Sequence, residues 1–319
     1  MNIDKLKDKA LTGTGVTKEE ALWLLSYPDL DELCDAANEV ARKWQGNEVD
    51  SCSIVNARSG MCGEDCKWCA QATRHSTGCE TYNFLDPELV MKAAEANEEA
   101  GIRRFSLVTS GRKVYKRDLQ EFCKVFKELG EKTSLYLCAS MGLLDEDEML
   151  MLKEAGVKRY HCNMETSDKV FRTLCTTHLP EDKRRTIAAA KKAGLTVCSG
   201  GIIGMGESGE DRVDFALELR DLDVDSVPIN ILTPIKGTPL QDTPLISEED
   251  IIRTVAIFRF IMPTKSLRFA GGRMRLSHES MLRIMTGGMN GVLMGDMLTT
   301  VSNTIADDRV LFREAGLKF

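Results

Sequence analysis

Short apolar segments alternate with longer helical patterns along most of the chain, and this alternation limits the possible folds more than any other feature of the sequence. Strands that alternate with helices in one sheet are parallel, because each crossover connection is right-handed. Eight such repeats are typical of an α/β protein built as a (β/α)8 barrel of the TIM type. The eight strand candidates lie near residues 52–57, 104–109, 135–139, 159–163, 196–199, 226–230, 267–269 and 291–293. Six helical patterns separate most of them, near residues 87–100, 118–129, 145–155, 182–193, 211–222 and 248–261.

Residues 17–45, ahead of the first strand, predict two helices. Thr17 and Glu20 have the spacing of a capping box, and apolar residues follow at helical intervals. We therefore expect residues 1–48 to form an N-terminal helical cover. Residues 49–319 should form the barrel and a C-terminal tail, since no Pro/Gly/Ser-rich linker divides them.

Composition indicates a cytoplasmic enzyme with a small-molecule substrate. The net charge of −7 argues against binding to nucleic acid. No apolar run is long enough to span a membrane, and the first residues show no signal-peptide pattern. Eleven cysteines in a chain of 319 residues, without a secretion signal, indicate metal ligands and buried thiols and not disulfides.

Three of the cysteines form a CxxxCxxC run, Cys62, Cys66 and Cys69. A [4Fe–4S] cluster normally takes four thiolates, so a three-cysteine loop leaves one iron open to a small molecule. A structural zinc site would show a second CxxC or Cys/His block, and none lies nearby. The loop therefore predicts a catalytic iron–sulfur cluster, with a non-catalytic electron carrier as the alternative from another class.

The loop from Arg58 to Gln71 resembles the cluster loop of radical S-adenosylmethionine (SAM) enzymes, and that of the biotin synthase family in particular. The resemblance extends from about Val49 to the C-terminus. Further segments resemble the family in the family's order, and they begin at Asn163, Cys198, Ser226, Gly237 and Arg268.

This resemblance implies a radical SAM sulfurtransferase that converts dethiobiotin to biotin. SAM would bind the open iron of the [4Fe–4S] cluster, and an auxiliary iron–sulfur cluster would donate the sulfur. The implied partners are a flavodoxin or ferredoxin reductant, iron–sulfur repair machinery and a second copy of the chain in a homodimer. The alternative enzyme is an amino-acid mutase or a metallocofactor maturase on the same barrel.

Residues on the fourth, fifth and sixth strands are candidates for binding SAM and substrate. His161, Asn163 and Glu165 share one face, because side chains alternate along a strand. The resemblance implies that Asn163 and Glu165 contact SAM or the ureido group of the substrate and that Asn230 binds this group. His161, where the family more often has an asparagine, is a candidate substrate contact because it shares their face. Trp68 should shield the cluster and pack on the adenine of SAM, and an ordinary core aromatic is the alternative.

Two details of the SAM site stay open in the sequence. Lys183 stands where the family usually has an arginine for the SAM carboxylate, and the neighbouring Arg184 is the other candidate. The Gly200-Gly201 pair either lets the backbone approach SAM closely or forms a plain turn at the end of a strand.

The auxiliary cluster is where the chain departs from its family. Cys138, Cys198 and Arg268 match three of the four family ligands, but Ser106 replaces the remaining cysteine. Serine is a poor ligand for such a site. Cys52 on the adjacent first strand is the predicted replacement, with Cys79 as a second candidate. The auxiliary cluster would then be either a [2Fe–2S] cluster or a four-iron one. The candidate catalytic residues are the three loop cysteines and Arg268.

Overall fold

The strands form one closed parallel barrel in the computed structural model, which describes residues 1–295 and 304–319. Each strand pairs with its neighbours in chain order, and the last strand pairs with the first. The strand segments are β1 (Asp50–Arg58), β2 (Arg104–Thr109), β3 (Tyr136–Ser140), β4 (Arg159–His161), β5 (Thr196–Cys198), β6 (Gly201–Ile203), β7 (Ser226–Ile231), β8 (Ser266–Phe269) and β9 (Gly291–Leu293).

The segments β5 and β6 are two halves of one barrel strand, interrupted at Ser199 and Gly200. β5 pairs with β4 and also reaches β7 through Cys198 and Ser226, and β6 continues the pairing with β7. The nine segments therefore make eight barrel strands. This confirms the predicted (β/α)8 barrel of the TIM type.

Helices precede the barrel, separate its strands and surround it. The six helices expected between strands and the two expected within residues 17–45 are present. Four further helices in the described part of the chain lie at the two termini, after β4 and between β8 and β9. They are α1 (Ile3–Leu11), α2 (Lys18–Leu25), α3 (Leu30–Gln45), α4 (Pro87–Glu99), α5 (Lys116–Lys132), α6 (Glu146–Glu154), α7 (Asp168–Leu174), α8 (Pro180–Lys192), α9 (Gly209–Asp221), α10 (Glu248–Ile261), α11 (His278–Met285) and α12 (Ile305–Glu314).

The N-terminal helices pack on the outside of the barrel. α3 lies against α10, and α2 contacts both α9 and α10. α10 needs this cover, because every residue from Ile251 to Ile261 is buried and no side of the helix is left facing solvent. The capping box at Thr17 and Glu20 forms as predicted and starts α2.

The barrel brings the loops that follow its strands together at one end, because the carboxyl ends of parallel strands all point the same way. The long loop between β1 and α4 carries the CxxxCxxC run. Among the described residues, no helix is long and apolar enough to cross a membrane.

Candidate active site

The cluster loop is fixed by backbone hydrogen bonds. The Cys62 N–H donates to the carbonyl of Gln71 at 3.1 Å, and the Thr73 N–H donates to the carbonyl of Cys62 at 2.8 Å. Ser110, after β2, donates its hydroxyl to the carbonyl of Gly60 at 2.6 Å. The loop therefore returns on itself and directs its three cysteines into one cavity of about 220 Å³, the mouth cavity.

A second segment, residues 175–178 between α7 and α8, holds the cluster loop from the side. Asp65 accepts the backbone N–H groups of Thr176 at 2.9 Å and Thr177 at 3.2 Å. Although burial opposes it, these and further hydroxyl and thiol hydrogen bonds hold the pKa of Asp65 well below its usual range. Glu64 lies 2.5 Å from Nδ1 of His178.

Sequence reasoning did not find this contact. The two segments are more than 100 residues apart, and their only sequence signal is a polar Thr-Thr-His run directly after a short helix.

Lys183, and not Arg184, faces the mouth cavity. Lys183 is buried in the cavity wall, with its Nζ 5.4 Å from the centre of the Phe171 ring. Arg184 pairs with Asp168 at 2.5 Å and lies near Glu218. Trp68 also lines the mouth cavity, with its ring edge-on to Phe171 at 6.1 Å between ring centres.

Asn163 and Glu165 lie where three cavities meet. Both line the mouth cavity, an adjoining middle cavity of about 260 Å³ and an inner cavity of about 280 Å³ inside the barrel. The Asn163 side chain accepts the Gly200 N–H at 3.0 Å and donates to Glu165 at 3.3 Å. Glu165 has a positive φ of 78°. These two side chains can therefore contact ligands in every part of the site.

The Gly200-Gly201 pair is required by contacts between strands. A Cβ on Gly200 would lie 2.0 Å from the carbonyl oxygen of Pro228, and one on Gly201 would lie 2.0 Å from that of Glu165. No side chain could be accommodated at these distances, so both positions require glycine because the backbone packs closely against other parts of the protein. The strand-turn interpretation thus has a direct structural reason.

Asn230 and His161 line the inner cavity from β7 and β4. The Asn230 amide donates to the carbonyl of Gly201 at 3.0 Å and accepts the Gly271 N–H at 2.9 Å, so its orientation is fixed. It also lines the middle cavity. His161 lines the mouth cavity as well as the inner one, and it pairs in register with Cys198 on β5.

The inner cavity brings together the residues predicted for the auxiliary cluster. Its wall contains the thiols of Cys52, Cys138 and Cys198 together with the guanidinium of Arg268, and all four side chains are buried. Ser106 is also in the wall. Cys79 instead lies in a separate cavity beside Ser59 and Tyr82.

Cys52 and Arg58 do not share a face all along β1. The register of β1 against β2 shifts between Asn56 and Arg58, and Arg58 turns to an ion pair with Asp118 at 2.6 Å. The alternation of side chains between the two faces of β1 therefore predicts the position of Cys52 but breaks down at the carboxyl end of the strand.

Charges at the base of the inner cavity hold Arg268. Asp50 accepts Nη2 of Arg268 at 2.7 Å and Nε of Arg104 at 2.6 Å. Burial would raise the pKa of Asp50, but Arg268 and Arg104 lower it to about 2. Burial also raises the pKa of the Cys198 thiol, but His161, Arg268 and Arg159 more than offset this, and the pKa is about 6.

The side chains of both thiol sites fit iron–sulfur clusters. Thiolates are the ordinary ligands of such clusters. Among the described residues, Nε of Arg268 and Nη1 of Arg159 are buried without a hydrogen-bond partner, and both side chains line the inner cavity. Buried donors of this kind are costly unless an acceptor satisfies them, so the inner cavity suits an anionic group that contains sulfide.

A parallel barrel with a three-thiol loop at the carboxyl ends of its strands defines a radical SAM enzyme. Residues 58–219 match the Radical SAM superfamily, and residues 228–318 match the Biotin and Thiamin Synthesis associated domain. The chain belongs to the biotin synthase family.

Its similarity to curated relatives covers nearly every residue. The chain is 47% identical over 316 residues to biotin synthase of Clostridium botulinum (strain Alaska E43 / Type E3), with 99% of each chain covered. It is 43% identical over 318 residues to biotin synthase of Brachyspira hyodysenteriae, with 100% of this chain and 95% of the relative covered. These findings confirm the predicted enzyme class and, through the family, its cofactors: a [4Fe–4S] cluster, SAM and an auxiliary iron–sulfur cluster.

Solved structures show the same fold at low identity. Methylornithine synthase (PylB) superposes with a TM-score of 0.85 at 21% identity, covering 98% of this chain and 96% of that chain. HydG, a maturase of the [FeFe]-hydrogenase, gives a TM-score of 0.83 at 17% identity, with 99% of this chain and 74% of HydG covered.

Proposed function

We propose that this chain converts dethiobiotin to biotin by radical insertion of sulfur, with the residues assigned below. One observation carries the assignment: a three-thiol loop at the mouth and a buried thiol cavity inside the barrel share the wall formed by Asn163 and Glu165. A substrate between them would touch both sites at once.

Cys62, Cys66 and Cys69 hold the [4Fe–4S] cluster, and SAM binds next to it in the mouth cavity. Lys183 binds the SAM carboxylate, which its buried position in the cavity wall supports. Trp68 packs on the adenine and, with Phe171, excludes water from the cluster. Asn163 and Glu165 bind the ribose, while Gly200 and Gly201 keep the backbone of the broken strand close to both side chains.

Dethiobiotin binds in the middle and inner cavities. Its ureido group both donates and accepts hydrogen bonds, and an amide such as Asn230 or Asn163 can match it in both directions. His161 contacts the substrate from the side of the inner cavity. Because Asn230 is already held by two backbone groups, it needs little reordering to bind the ligand.

Cys52, Cys138, Cys198 and Arg268 hold the auxiliary cluster. When bound, the two clusters and SAM supply the one-electron chemistry that breaks C–H bonds and the sulfur that replaces hydrogen. Asp50 keeps the Arg268 guanidinium at the base of the cavity, and burial excludes water from it. The separate location of Cys79 supports Cys52 as the replacement ligand.

The proposal extends to partners and surroundings. A flavodoxin or ferredoxin supplies electrons, repair machinery restores the consumed auxiliary cluster, and the enzyme works as a homodimer. It works in the cytoplasm, since eleven free thiols suit a reducing compartment. Residues 1–48 act as the helical cover and residues 49–319 as the catalytic barrel with its tail.

The test is an anaerobic assay. The chain is reconstituted with iron and sulfide and incubated with SAM, reductant and dethiobiotin, and 5′-deoxyadenosine and biotin are followed by mass spectrometry. We expect both products. Deoxyadenosine without biotin would reject the substrate or the sulfur source, and the absence of both would favour an electron carrier. A Cys62→Ala variant is the matched control and should form neither.

A further inference from the structure

We propose that Cys66, Cys175 and His178 bind a single divalent transition-metal ion that accepts both thiolate and imidazole ligands, such as Fe²⁺ or Zn²⁺, in the chain before it carries its [4Fe–4S] cluster. Sγ of Cys66, Sγ of Cys175 and a ring nitrogen of His178 all lie within 4.8 Å of one another. This site shares only Cys66 with the cluster loop. It gives a role to Cys175 and His178, which the proposed function does not use.

The spacing of the ligand atoms fits a tetrahedral ion. Two thiolate sulfurs bound at about 2.3 Å lie about 3.8 Å apart in a tetrahedral site, and a sulfur and an imidazole nitrogen lie about 3.5 Å apart. The sulfurs of Cys66 and Cys175 are 3.7 Å apart. Sγ of Cys175 and Nδ1 of His178 are 3.3 Å apart. The third pair, Sγ of Cys66 and a ring nitrogen of His178, lies within 4.8 Å. A small closing movement of this pair would therefore complete the site around an ion.

The three side chains are held by different parts of the fold. Cys66 belongs to the cluster loop, and Cys175 follows directly after α7, where its N–H donates to the carbonyl of Phe171 at 3.1 Å. The His178 ring packs edge-on against Phe171 at 5.3 Å between ring centres. Cys175 is 2% exposed, whereas Cys66 and His178 line the mouth cavity. The ion thus has an entry path from the mouth and buried ligands behind it.

Binding is an exchange of protons for metal and involves no oxidation. Each thiol releases one proton as its sulfur binds the ion, and the imidazole binds through Nδ1 with its proton kept on Nε2. Glu64 then loses its contact with Nδ1 of His178. It retains the hydrogen bond from the Thr177 hydroxyl at 2.8 Å and the ion pair with Arg112 at 3.7 Å. Asp65, 3.3 Å from Sγ of Cys175, adds negative charge next to the ion.

The site also predicts the order in which iron is loaded onto the cluster loop. A single Fe²⁺ held by Cys66 would be the first iron to reach the loop, and Cys66 would pass to the cluster as Cys62 and Cys69 engage. The two occupancies exclude each other, because one sulfur serves both. The inference concerns the cluster-free chain and does not rest on the proposed reaction.

The experiment uses the full-length, cluster-free chain under anaerobic conditions and Co²⁺ as a spectroscopic probe. We expect absorption bands of a tetrahedral ion with thiolate ligands. Cys175→Ser and His178→Gln should each weaken Co²⁺ binding by about 100-fold, since even outer-shell changes cost roughly 10- to 100-fold in metal affinity. Cys69→Ser tests the cluster loop as a competing site, and Cys123→Ser, on α5, controls for the loss of a buried thiol.

The variants separate the two possible sites. Loss of the bands in Cys175→Ser and His178→Gln, with retention in Cys69→Ser and Cys123→Ser, supports the proposal. Loss in Cys69→Ser with retention in Cys175→Ser would overturn it, because the ion would then sit among the three loop thiols. Should Cys175→Ser fail to fold by circular dichroism, His178→Gln alone decides in the same way. Slower iron loading of Cys175→Ser, followed optically during reconstitution, is the further expected result.

Discussion

At the scale of single residues, Ser106 and Cys52 line the same inner cavity from two neighbouring strands. Ser106 on β2 pairs in register with Ile54 on β1 and with Cys138 on β3. Cys52 lies two residues before Ile54 and lines the same inner cavity. The inner cavity is therefore lined by three cysteines from β1, β3 and β5, and Ser106 lies on β2 between the first two.

Cys52→Ala should remove the auxiliary iron and leave the loop cluster. The variant deletes one of three buried thiols in the inner cavity but touches none of the loop cysteines. Iron and sulfide analysis with Mössbauer spectroscopy of the reconstituted protein should give the content of one [4Fe–4S] cluster per chain. Cys79→Ala is the matched control. Unchanged iron in Cys52→Ala, with a loss in Cys79→Ala, would assign the ligand to Cys79.

Lys183→Ala should raise the KM for SAM by about 10- to 100-fold, because a hydrogen bond to a charged group contributes about 1.5–3 kcal/mol. Arg184→Ala should leave this KM within about twofold. It removes only a partly exposed pair with Asp168, worth at most about 1 kcal/mol of stability. Initial rates of deoxyadenosine formation measure both. A larger increase in the KM for SAM in Arg184→Ala than in Lys183→Ala would mean that Arg184, and not Lys183, binds the SAM carboxylate.

At the scale of elements, α7 joins the cluster loop to the outer helices. It has seven residues, and Glu218 on α9 accepts the N–H of its first residue, Asp168, at 3.2 Å. Burial is the main reason that the pKa of Glu218 is raised to about 7, and nearby Asp168 adds to it. A carboxyl with a raised pKa therefore accepts a hydrogen bond from the start of α7, the helix that leads into residues 175–178.

Glu218→Gln should flatten the pH dependence of stability. The native state binds the Glu218 proton more tightly than the unfolded chain does, so the free energy of unfolding falls as pH rises from about 4.5 to about 7. Glutamine keeps the hydrogen-bond acceptor and removes the titration, so the variant should gain of the order of 2 kcal/mol relative to the parent across this range. Urea unfolding at pH 5 and pH 8 measures it. Exposed Glu181→Gln is the control, and parallel curves for Glu218→Gln and the parent would contradict the expectation.

Long elements were predictable from sequence, and short ones were not. The helices between strands present several turns of apolar periodicity, so α4, α5 and α10 lie close to their predicted ranges. α7 is too short for periodicity to identify it. The interruption between β5 and β6 depends on the carbonyl oxygens of Pro228 on β7 and of Glu165 in the segment after β4, and neither leaves a local pattern around Gly200 and Gly201.

At the scale of the whole molecule, the N-terminal cover and the barrel share one hydrophobic core. Leu33, Ala37 and Val40 of α3 are fully buried, and α3 packs on α10. The core is thus continuous across the proposed boundary at residue 48. The cover contributes to the stability of the barrel even though it contributes no ligand.

Removal of residues 1–48 should make the barrel insoluble or lower its thermal midpoint strongly, because it exposes the apolar side of α10. Removal of α1 alone should be tolerated better, since α1 buries three residues and α3 buries six. Solubility, far-UV circular dichroism and thermal unfolding of the two truncated chains measure this. A residue 49–319 chain as stable as the parent would instead define an independent barrel domain.

The sequence by itself determined the barrel and the three-thiol loop, because periodicity and ligand spacing are local properties of the chain, and the resemblance of its motifs indicated the family. Only the tertiary structure decided which thiols share the inner cavity, that Lys183 rather than Arg184 faces the mouth, and that residues 175–178 hold the cluster loop. Those facts depend on contacts between segments that can be more than 100 residues apart in the chain. Such contacts exist only once the strands have closed and the side chains have packed.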